Sequence, residues 1–437
     1  MTTTTMQDAL DSAGTGPYQR RLMAIFGLVW AADAMQVLAV GFTAASIAAT
    51  FGLSVPQALQ TGTLFFLGML LGAVGFGRLA DRIGRRKVLI VTVACDAVFG
   101  FLSIFAPSFE VLLLLRFLTG AAVGGTLPVD YAMMSEFLPA RSRGRWLVML
   151  EGFWAVGTLV VALTAWLISL TDLTDAWRYI FAVTAVPAAI GIGLRFLVPE
   201  SPLYLLRSGK PAEAKVIVNR MLVANGRPEL SPTVTIALPA ASTGAGIFSG
   251  ALRRRSLLVL AVWFLVSVSY YGVFTWMPPR LAGEGFGFVR GYGFLVLIAL
   301  AQIPGYALAA YGVEAWGRRP TLVGFCLLSA FSCLLFVVAN DAPLIAAALL
   351  IMSFALLGTW GALYAYTPEL YPTETRATGM GTAGGMARLG GLLAPSLIGL
   401  LVAKGFALAI GTFAGLLLIA AMAALLIDAE TRRASLT

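Results

Sequence analysis

Roughly a dozen apolar runs, each about 20 residues long, dominate this 437-residue sequence. About 20 residues of helix cross a hydrocarbon core of about 30 Å, so each run is long enough to span a membrane. Hydrophobic residues make up 59% of the chain and charged residues only 12%, whereas soluble domains carry about a quarter charged residues. This composition excludes a soluble enzyme, a disordered chain and a nucleic-acid-binding module, despite the net charge of +9. The sequence predicts an all-α polytopic membrane protein.

The apolar runs predict twelve membrane-spanning helices, separated by short polar loops. We place them at residues 22–44, 59–80, 88–106, 110–134, 145–170, 178–198, 256–277, 290–313, 320–338, 343–367, 377–402 and 406–427. The long polar stretch after the sixth span divides the chain into two six-helix bundles. The expected organisation is a tail 1–21, a first bundle 22–198, a linker 199–255, a second bundle 256–427 and a tail 428–437.

The distribution of Lys and Arg predicts the orientation of these spans. If both termini are cytoplasmic, roughly 23 basic residues fall in cytoplasmic segments, and about four fall outside, namely Arg178, Arg280, Arg290 and Lys404. This is the expected positive-inside bias. The polar start of the chain resembles a cytoplasmic tail more than a signal peptide. In the linker, we expect Lys210, Lys215 and Arg220 to lie on a short amphipathic helix.

Two motifs recur at one fixed offset of 233 residues. In the first motif, an acid, a glycine and two arginines recur: Asp81, Gly84, Arg85 and Arg86 match Glu314, Gly317, Arg318 and Arg319. In the second, Glu136, Pro139 and Arg143 match Glu369, Pro372 and Arg376. Two independent motifs with a shared offset indicate a duplicated pair of six-helix halves in the same orientation.

The residue types in these loops suit a network of charged hydrogen bonds at helix ends. Gly77 and Gly84 permit a tight turn and a close helix approach. Such a network can hold the halves together and break when they move apart, or the arginines can simply anchor the loops. We interpret the two copies as a cytoplasmic gate formed by Gly77, Asp81, Gly84, Arg85, Arg86, Glu136, Arg143, Glu314, Arg318, Glu369 and Arg376.

Several segments resemble the major facilitator superfamily. GRLADRIGRRK (77–87) is similar to its signature loop, RFLTG (116–120) to its fourth-helix motif, and PESPLYLL (199–206) to an element of sugar porters. Segments 32–37, 146–158 and 386–395 resemble most the branch of synaptic vesicle protein 2, bacterial nicotinate and aromatic-acid permeases, and organic ion transporters. The resemblance implies two six-helix bundles, a central cavity and alternating access. It also adds Glu200 to the gate and places Gln36 where relatives often carry an acid.

Charged residues within the spans are costly unless paired or hydrated, so each is a functional candidate. Asp33 lies about 12 residues, or about 18 Å of helix, beyond Arg20 and Arg21, near the expected midplane. A carboxylate that alternately meets and leaves an arginine can take up and release a proton, and sugar porters that resemble this chain carry a proton-linked Asp on the first span. Arg116 is the expected partner. A permanent packing contact is the alternative.

Arg388 is a second midplane charge, 12 residues beyond Arg376. In the organic ion transporters that this segment resembles, helix eleven carries a charge of opposite sign to that of the ligand. The residue is basic in anion carriers and acidic in cation carriers. A guanidinium can hold a carboxylate through two parallel hydrogen bonds. The alternative is an internal ion pair with Asp130 or Glu151, which could themselves be a second proton site, part of a gate, or hydrated groups; the sequence leaves these possibilities open.

Aromatic and amide side chains on the presumed cavity helices complete the expected site. We expect Gln36, Trp154, Tyr270, Gln302, Trp360 and Tyr364 to bind substrate together with Arg388. Core packing and interfacial belts are the alternative roles for the aromatic residues. The chain has no histidine and only three unpaired-looking cysteines, so proton chemistry must use carboxylates, and neither a metal, a cofactor nor a disulfide is expected.

These residues favour a proton-coupled symporter that imports a small organic anion, such as nicotinate or a hydroxybenzoate, across a bacterial inner membrane. We expect it to work as a monomer in the lipid bilayer, with protons and the anion as its partners. A sugar or polyol symporter is the main alternative. A drug or organic-cation exporter is disfavoured by the buried arginine, and a transporter-like receptor would bind ligand without flux. A membrane hydrolase has no support, since the chain lacks histidine and a clear acid dyad.

Overall fold

The computed structural model describes residues 2–139, 142–171, 173–237, 246–283, 292–371, 373–402 and 404–431. These residues are almost entirely helical, as the composition predicts. Twelve long helices occur in this part of the chain. Their bounds are α2 Pro17–Phe51, α4 Gln60–Ile83, α5 Arg85–Ser103, α6 Phe109–Ser135, α7 Arg143–Ser169, α8 Ala176–Arg195, α11 Gly250–Gly283, α12 Tyr292–Ala315, α13 Arg318–Val338, α14 Ala342–Tyr366, α15 Thr373–Val402 and α16 Phe406–Leu425.

The shorter elements are all close to the chain start or between the long helices. They are β1 Thr2–Thr5, α1 Met6–Ala13, α3 Val55–Ala58, α9 Pro202–Arg207, α10 Pro211–Ala224, β2 Val234–Ala237 and a 3-10 turn at Thr367–Leu370. The long helices begin and end within about seven residues of the predicted spans. The first differs at both ends: Pro17 occupies its first turn, where the missing N–H costs nothing, and Gly52 ends it with a positive φ of 66°.

The long helices form two bundles with the same internal arrangement. In the first half, α2 to α8, the packed pairs are α2 with α7 and α8, α4 with α6, and α5 with α6 and α8. In the second half, α11 to α16, the equivalent five pairs recur in the same order along the chain. The duplicated two-bundle fold predicted from the 233-residue offset is therefore confirmed.

Close contacts between helix backbones also recur at the offset of 233 residues. A Cβ added to Gly72 on α4 would lie 1.9 Å from the carbonyl oxygen of Ala121 on α6. A Cβ on Gly305, 233 residues later, would lie 2.2 Å from the carbonyl oxygen of Phe354. Only glycine permits backbones to approach this closely, as small residues commonly do between membrane helices. Both halves therefore hold their second and fourth long helices together by the same device.

The outer surface of the bundles is apolar. Large hydrophobic side chains that are more than half exposed include Leu71, Phe101, Leu170, Leu400 and Met422. Ten helices are long and apolar enough to cross a membrane by length and composition, among the described residues. An exposed apolar belt of this kind fits a lipid environment rather than water.

The two halves meet along a small number of helix pairs. The main contacts join α7 with α12, α4 with α15, and α2 with α11. On the side where α2 begins, called the termini side here, the chain start and the linker are joined. Strand β1 pairs in parallel with β2, so that Thr2 lies opposite Val234 and Thr5 opposite Ala237. Helix α1 packs against α10, the helix that carries Lys215 and Arg220 of the predicted amphipathic segment.

Candidate functional site

A small cavity lies between the two halves. Helix α7 of the first half faces helices of the second half across it. The lining consists of six aromatic side chains, one leucine, one acid and one base: Trp154, Tyr270, Tyr271, Tyr306, Trp360, Tyr364, Leu357, Glu151 and Arg388.

Arg388 provides the positive charge of this cavity. It lies on α15 and is 5% exposed. Its positive charge acts electrostatically on Tyr271, Tyr364 and the carboxyl of Glu151, which line the same cavity. Among the described residues it forms no ion pair within 4 Å. The structure thus places a guanidinium with spare hydrogen-bonding capacity in an aromatic cavity.

Aromatic rings close the cavity towards the termini side. Tyr364 contacts Trp263, Trp360 and Tyr131, with ring centroids 4.7, 5.9 and 5.1 Å away. The hydroxyl of Tyr131 also donates to the backbone oxygen of Tyr364 at 3.2 Å. Because Tyr131 belongs to the first half and Tyr364 to the second, these rings join the two halves on the termini side of the cavity.

A second aromatic group lies further from the termini side. Tyr271 packs edge-on against Phe66 of the first half, with centroids 4.6 Å apart. Tyr270 packs on Phe274 at 4.8 Å, and its hydroxyl accepts a 2.7 Å hydrogen bond from Trp154 Nε1. The cavity is therefore bounded by aromatic rings on the termini side and on the opposite side.

Asp33 lies in the interior of the first half and is not among the residues that line the cavity. It is 1% exposed, and its Oδ2 atom has no hydrogen-bond partner among the described residues. The charged groups that act on it are Asp96 and Asp130, which repel it, and Arg195 and Arg388, which attract it. Asp33 therefore interacts electrostatically both with the charged groups inside the first half and with the arginine of the cavity.

Arg116 does not form the predicted pair with Asp33. It is fully buried, and its Nη1 and Nη2 atoms donate to the side-chain oxygen and the backbone oxygen of Gln36 at 2.8 and 2.9 Å. The rings of Phe65 and Phe181 lie 4.7 and 4.6 Å from the guanidinium carbon. Gln36 is one turn further along α2 than Asp33, and it takes the place of Asp33 as the partner of Arg116.

Two charged residues in this interior were not among the predicted site residues. Asp96 on α5 is 2% exposed and interacts electrostatically with Arg116. Arg195 on α8 forms a buried ion pair with Asp130. Asp130 is therefore held within its own half and does not pair with Arg388. Both residues fall inside the predicted spans 88–106 and 178–198, so the cost of a charge in a span is the signal that could have identified them.

The first copy of the repeated motif forms an ion-pair cluster at the termini side. Arg85 pairs with Glu136, which also accepts a hydrogen bond from the hydroxyl of Ser201. Glu200 accepts hydrogen bonds of 3.2–3.3 Å from the backbone N–H of Arg86. Gly84 precedes α5 with φ +103°, and a Cβ there would lie 2.7 Å from Glu200. Glycine is needed at this position for both reasons.

The second copy repeats the arrangement with a partner that the sequence analysis missed. Arg318 binds Glu369 through two hydrogen bonds of 3.0 and 3.1 Å and also contacts Glu314. Glu430 accepts from the backbone N–H groups of Arg318 and Arg319 at 2.9 and 3.0 Å. Gly317 has φ +112°, as Gly84 has in the first copy. Glu430 follows the last long helix just as Glu200 follows the sixth, which is the signal that could have found it.

Each of these ion-pair clusters lies within one half, so neither joins the halves by itself. The contact between halves comes from the start of α7. A Cβ on Gly144 would lie 3.5 Å from Arg318 Nη2 and 3.7 Å from Glu369 Oε1. Arg143, next to it, is attracted by both Glu136 and Glu369, and its side chain donates to Gln7 at 2.8 Å.

The predicted site residues thus fall into three groups. Trp154, Tyr270, Trp360, Tyr364 and Arg388 line the cavity, together with Glu151. Gln36 is occupied by Arg116, and Gln302 is buried on α12 with no partner among the described residues, but neither lines the cavity. The side chains of three predicted gate residues lie outside the described ones: Gly77, Asp81 and Arg376.

Two packed six-helix bundles with a cavity between them are the architecture of the major facilitator fold. The profile of the sugar (and other) transporter family matches residues 18–436, and the chain belongs to this family. NiaP of Bacillus subtilis (strain 168) is 36% identical over 420 residues, covering 96% of this chain and 98% of that protein. The niacin transporter NiaP of Acinetobacter baylyi is 35% identical over 391 residues, covering 89% of this chain and 88% of that protein.

The solved structures support the fold in the same way. The xylose transporter XylE from E. coli, in a partially occluded inward-open conformation, superposes with a TM-score of 0.76. The match covers 95% of this chain and 99% of that chain, at 17% sequence identity. The predicted family and branch are therefore confirmed by sequence, and the predicted architecture by structure.

Proposed function

We propose that this protein is a proton-coupled symporter that imports a small aromatic monocarboxylate, such as nicotinate, by alternating access. The observation that carries the proposal is the buried Arg388, which lies among tyrosines in the cavity without an ion-pair partner within 4 Å among the described residues. A guanidinium recognises a carboxylate through two charge-assisted hydrogen bonds, and the surrounding rings offer stacking surfaces. The name of the Acinetobacter baylyi relative, a niacin transporter, supports the same substrate class.

Asp33 is the proposed proton carrier. Its unpartnered oxygen lies in the interior of a bundle, where an isolated carboxylate is costly, so proton uptake relieves the cost. Arg388 is one of the two cations that act on Asp33. When the substrate carboxylate binds Arg388, it competes with Asp33 for that positive charge and favours protonation of Asp33. In this scheme, Arg116 positions helix α2 through Gln36.

The start of α7 is the proposed gate on the termini side, which we place in the cytoplasm of a cell with this protein in its inner membrane. When the halves close on this side, Gly144 docks against the Arg318–Glu369 pair. The positive end of the α7 helix dipole then faces Glu369. Opening of this side requires that contact to separate, while the ion pairs within each half stay intact.

The composition of the cavity disfavours a sugar or polyol as substrate. A sugar presents many hydroxyl groups that each need a polar partner when buried. Besides Glu151 and Arg388, the cavity offers six aromatic side chains, of which four are tyrosines, and one leucine; neither predicted amide, Gln36 nor Gln302, lines it. The xylose transporter shares the fold but only 17% of the residues, so it carries no argument for the substrate.

Transport in proteoliposomes tests the proposal. We expect purified protein to accumulate labelled nicotinate when the outside is acidic, and Asp33→Asn to abolish this accumulation while retaining counterflow exchange. Arg388→Ala should weaken nicotinate binding at least about tenfold, as expected for loss of charge-assisted hydrogen bonds, but leave binding of its neutral amide unchanged. The matched control is Lys404→Ala, an exposed basic residue beyond α15. Unchanged accumulation in Asp33→Asn, or equal loss of both ligands in Arg388→Ala, would reject the respective roles.

A further inference from the structure

One carboxyl group, that of Glu151, shares the cavity with Arg388. Glu151 on α7 lines the cavity and is 3% exposed. Its Oε1 atom has no hydrogen-bond partner among the described residues, and no ion pair within 4 Å joins it to Arg388. The cavity therefore contains an acid from the first half and a base from the second, held apart from each other.

Glu151 differs from the other buried acids of the first half in that it lines the cavity. Asp33 also has an oxygen without a hydrogen-bond partner among the described residues, but it is not a lining residue. Asp130 pairs with Arg195, and Glu136 pairs with Arg85 and Ser201. These partners explain why those acids are buried. A buried polar atom without a partner loses its hydration and gains nothing in return, which is unfavourable unless a ligand supplies the missing contact. Glu151 is directed to the space where a ligand would lie.

We propose that Glu151 binds a basic ring nitrogen of the substrate, while the carboxylate on the same ring binds Arg388. This inference rests on the proposed function and narrows its substrate class to planar heteroaromatic carboxylates that carry a ring nitrogen. One proton lies between the Glu151 carboxyl and the ring nitrogen: either the carboxylic acid O–H donates to the nitrogen, or the protonated nitrogen donates to the carboxylate. In both forms, each buried group has a partner.

Discrimination follows from the same chemistry. Benzoate has the ring and the carboxylate but no ring nitrogen, so its binding leaves Glu151 unpartnered. Nicotinamide has the ring nitrogen but no carboxylate, so its binding leaves Arg388 without an anion. A site whose polar groups are matched at both ends rejects analogues that lack either group. Glu151 is therefore a specificity-determining residue, and Arg388 is the anchor.

Equilibrium binding to the purified full-length protein tests this assignment, with labelled nicotinate and with benzoate as competitor. We expect wild-type protein to prefer nicotinate over benzoate by at least about tenfold, the effect of one buried hydrogen bond. Glu151→Ala should reduce that ratio to nearly one, mainly by weakening nicotinate. Glu151→Gln should retain part of the preference, because its amide N–H can donate to a ring nitrogen. Glu110→Ala, an exposed glutamate on α6, should leave the ratio unchanged.

Two results would overturn the assignment: equal affinity of the wild-type protein for nicotinate and benzoate, or a preference that survives Glu151→Ala. Either leaves the effect of Arg388→Ala on carboxylate binding intact, so the proposed function would stand. If the proposed function itself is wrong, the result differs: wild-type protein would bind neither nicotinate nor benzoate. The assignment of Glu151 would then fail together with the proposed function. If Glu151→Ala does not fold, the wild-type ratio and Glu151→Gln still decide the question.

Discussion

The indole Nε1 of Trp154 donates a 2.7 Å hydrogen bond to the hydroxyl of Tyr270, and the bond joins the two halves at the cavity wall. Trp154 lies on α7 of the first half and Tyr270 on α11 of the second. A buried bond between halves can exist only while the halves are close together. It therefore stabilises the arrangement of the two halves that the structure shows.

Removal of either partner of this bond should destabilise the protein by the same mechanism. We expect Trp154→Phe and Tyr270→Phe each to lower the free energy of unfolding by about 1 kcal/mol or more. The double variant should lose less than the sum of the two, because both remove one interaction. Thermal unfolding of purified wild-type protein, both single variants and the double variant measures these losses. Tyr311→Phe, which removes an exposed hydroxyl, is the control, and strictly additive losses would show that the bond contributes nothing.

Gln36 should be essential for the stability of the first half. Gln36→Leu leaves the buried Arg116 guanidinium without its side-chain acceptor, and we expect a loss of about 1.5–3 kcal/mol, the value for hydrogen bonds to charged groups. Gln36→Glu keeps an acceptor oxygen and supplies a negative charge, so it should retain most of the stability. Thermal unfolding of both variants measures the difference. Equal melting temperatures for wild type and Gln36→Leu would contradict the importance of this contact.

The size of the residue at position 144 should control closure on the termini side. A Cβ on Gly144 makes only ordinary contacts with Arg318 and Glu369, so Gly144→Ala should be tolerated. Gly144→Trp should keep the halves apart on this side and reduce transport by more than tenfold, an effect of order 1.4 kcal/mol or more. Gly152→Trp is the matched control, since a Cβ there meets open space on the same helix.

Accessibility of a cysteine placed in the cavity from the termini side gives an independent measurement for these variants. Labelling should increase in Gly144→Trp and remain at the wild-type level in Gly152→Trp. Normal transport by Gly144→Trp would show that α7 does not dock against Glu369 during the cycle.

Glu430 should stabilise the start of α13. It accepts hydrogen bonds from two backbone N–H groups at the positive end of the helix. Glu430→Gln should lower the free energy of unfolding by up to about 1 kcal/mol, and high salt should reduce the difference. Glu229→Gln, an exposed glutamate that contacts only a side-chain amide at 3.4 Å among the described residues, should have a smaller effect. A larger loss for Glu229→Gln would contradict the capping role.

Helix positions and the duplicated fold were predictable because they depend on local properties. An apolar run must span the bilayer whatever its neighbours are, and the 233-residue offset is visible without any structure. The same offset also relates contacts outside the two repeated motifs, such as Gly72 against Ala121 and Gly305 against Phe354. The chain start was less predictable: a run of threonines contains no apolar period, and only β2 in the distant linker makes it a strand.

The partners of the buried charges were not predictable, because they depend on how each helix is rotated and tilted. Asp33 and Gln36 share a face of α2, and one helical turn decided that Arg116 binds the amide. On α12, Tyr306 lines the cavity and Gln302 does not. Pro304 lies between them within the helix, where the missing backbone hydrogen bond distorts the turn. Sequence spacing alone assumes an ideal helix at this point.

The pairing of β1 with β2 has a practical consequence for the study of this transporter. Residues 2–5 are hydrogen-bonded to the segment that connects the two halves, and α1 buries Met6, Ala9, Leu10 and Ala13 directly after them. A fluorescent fusion or affinity tag attached ahead of residue 2 would compete with this pairing and load the connection on which the movement of the halves depends. Purification handles and reporters therefore belong beyond residue 431, where they leave this junction undisturbed.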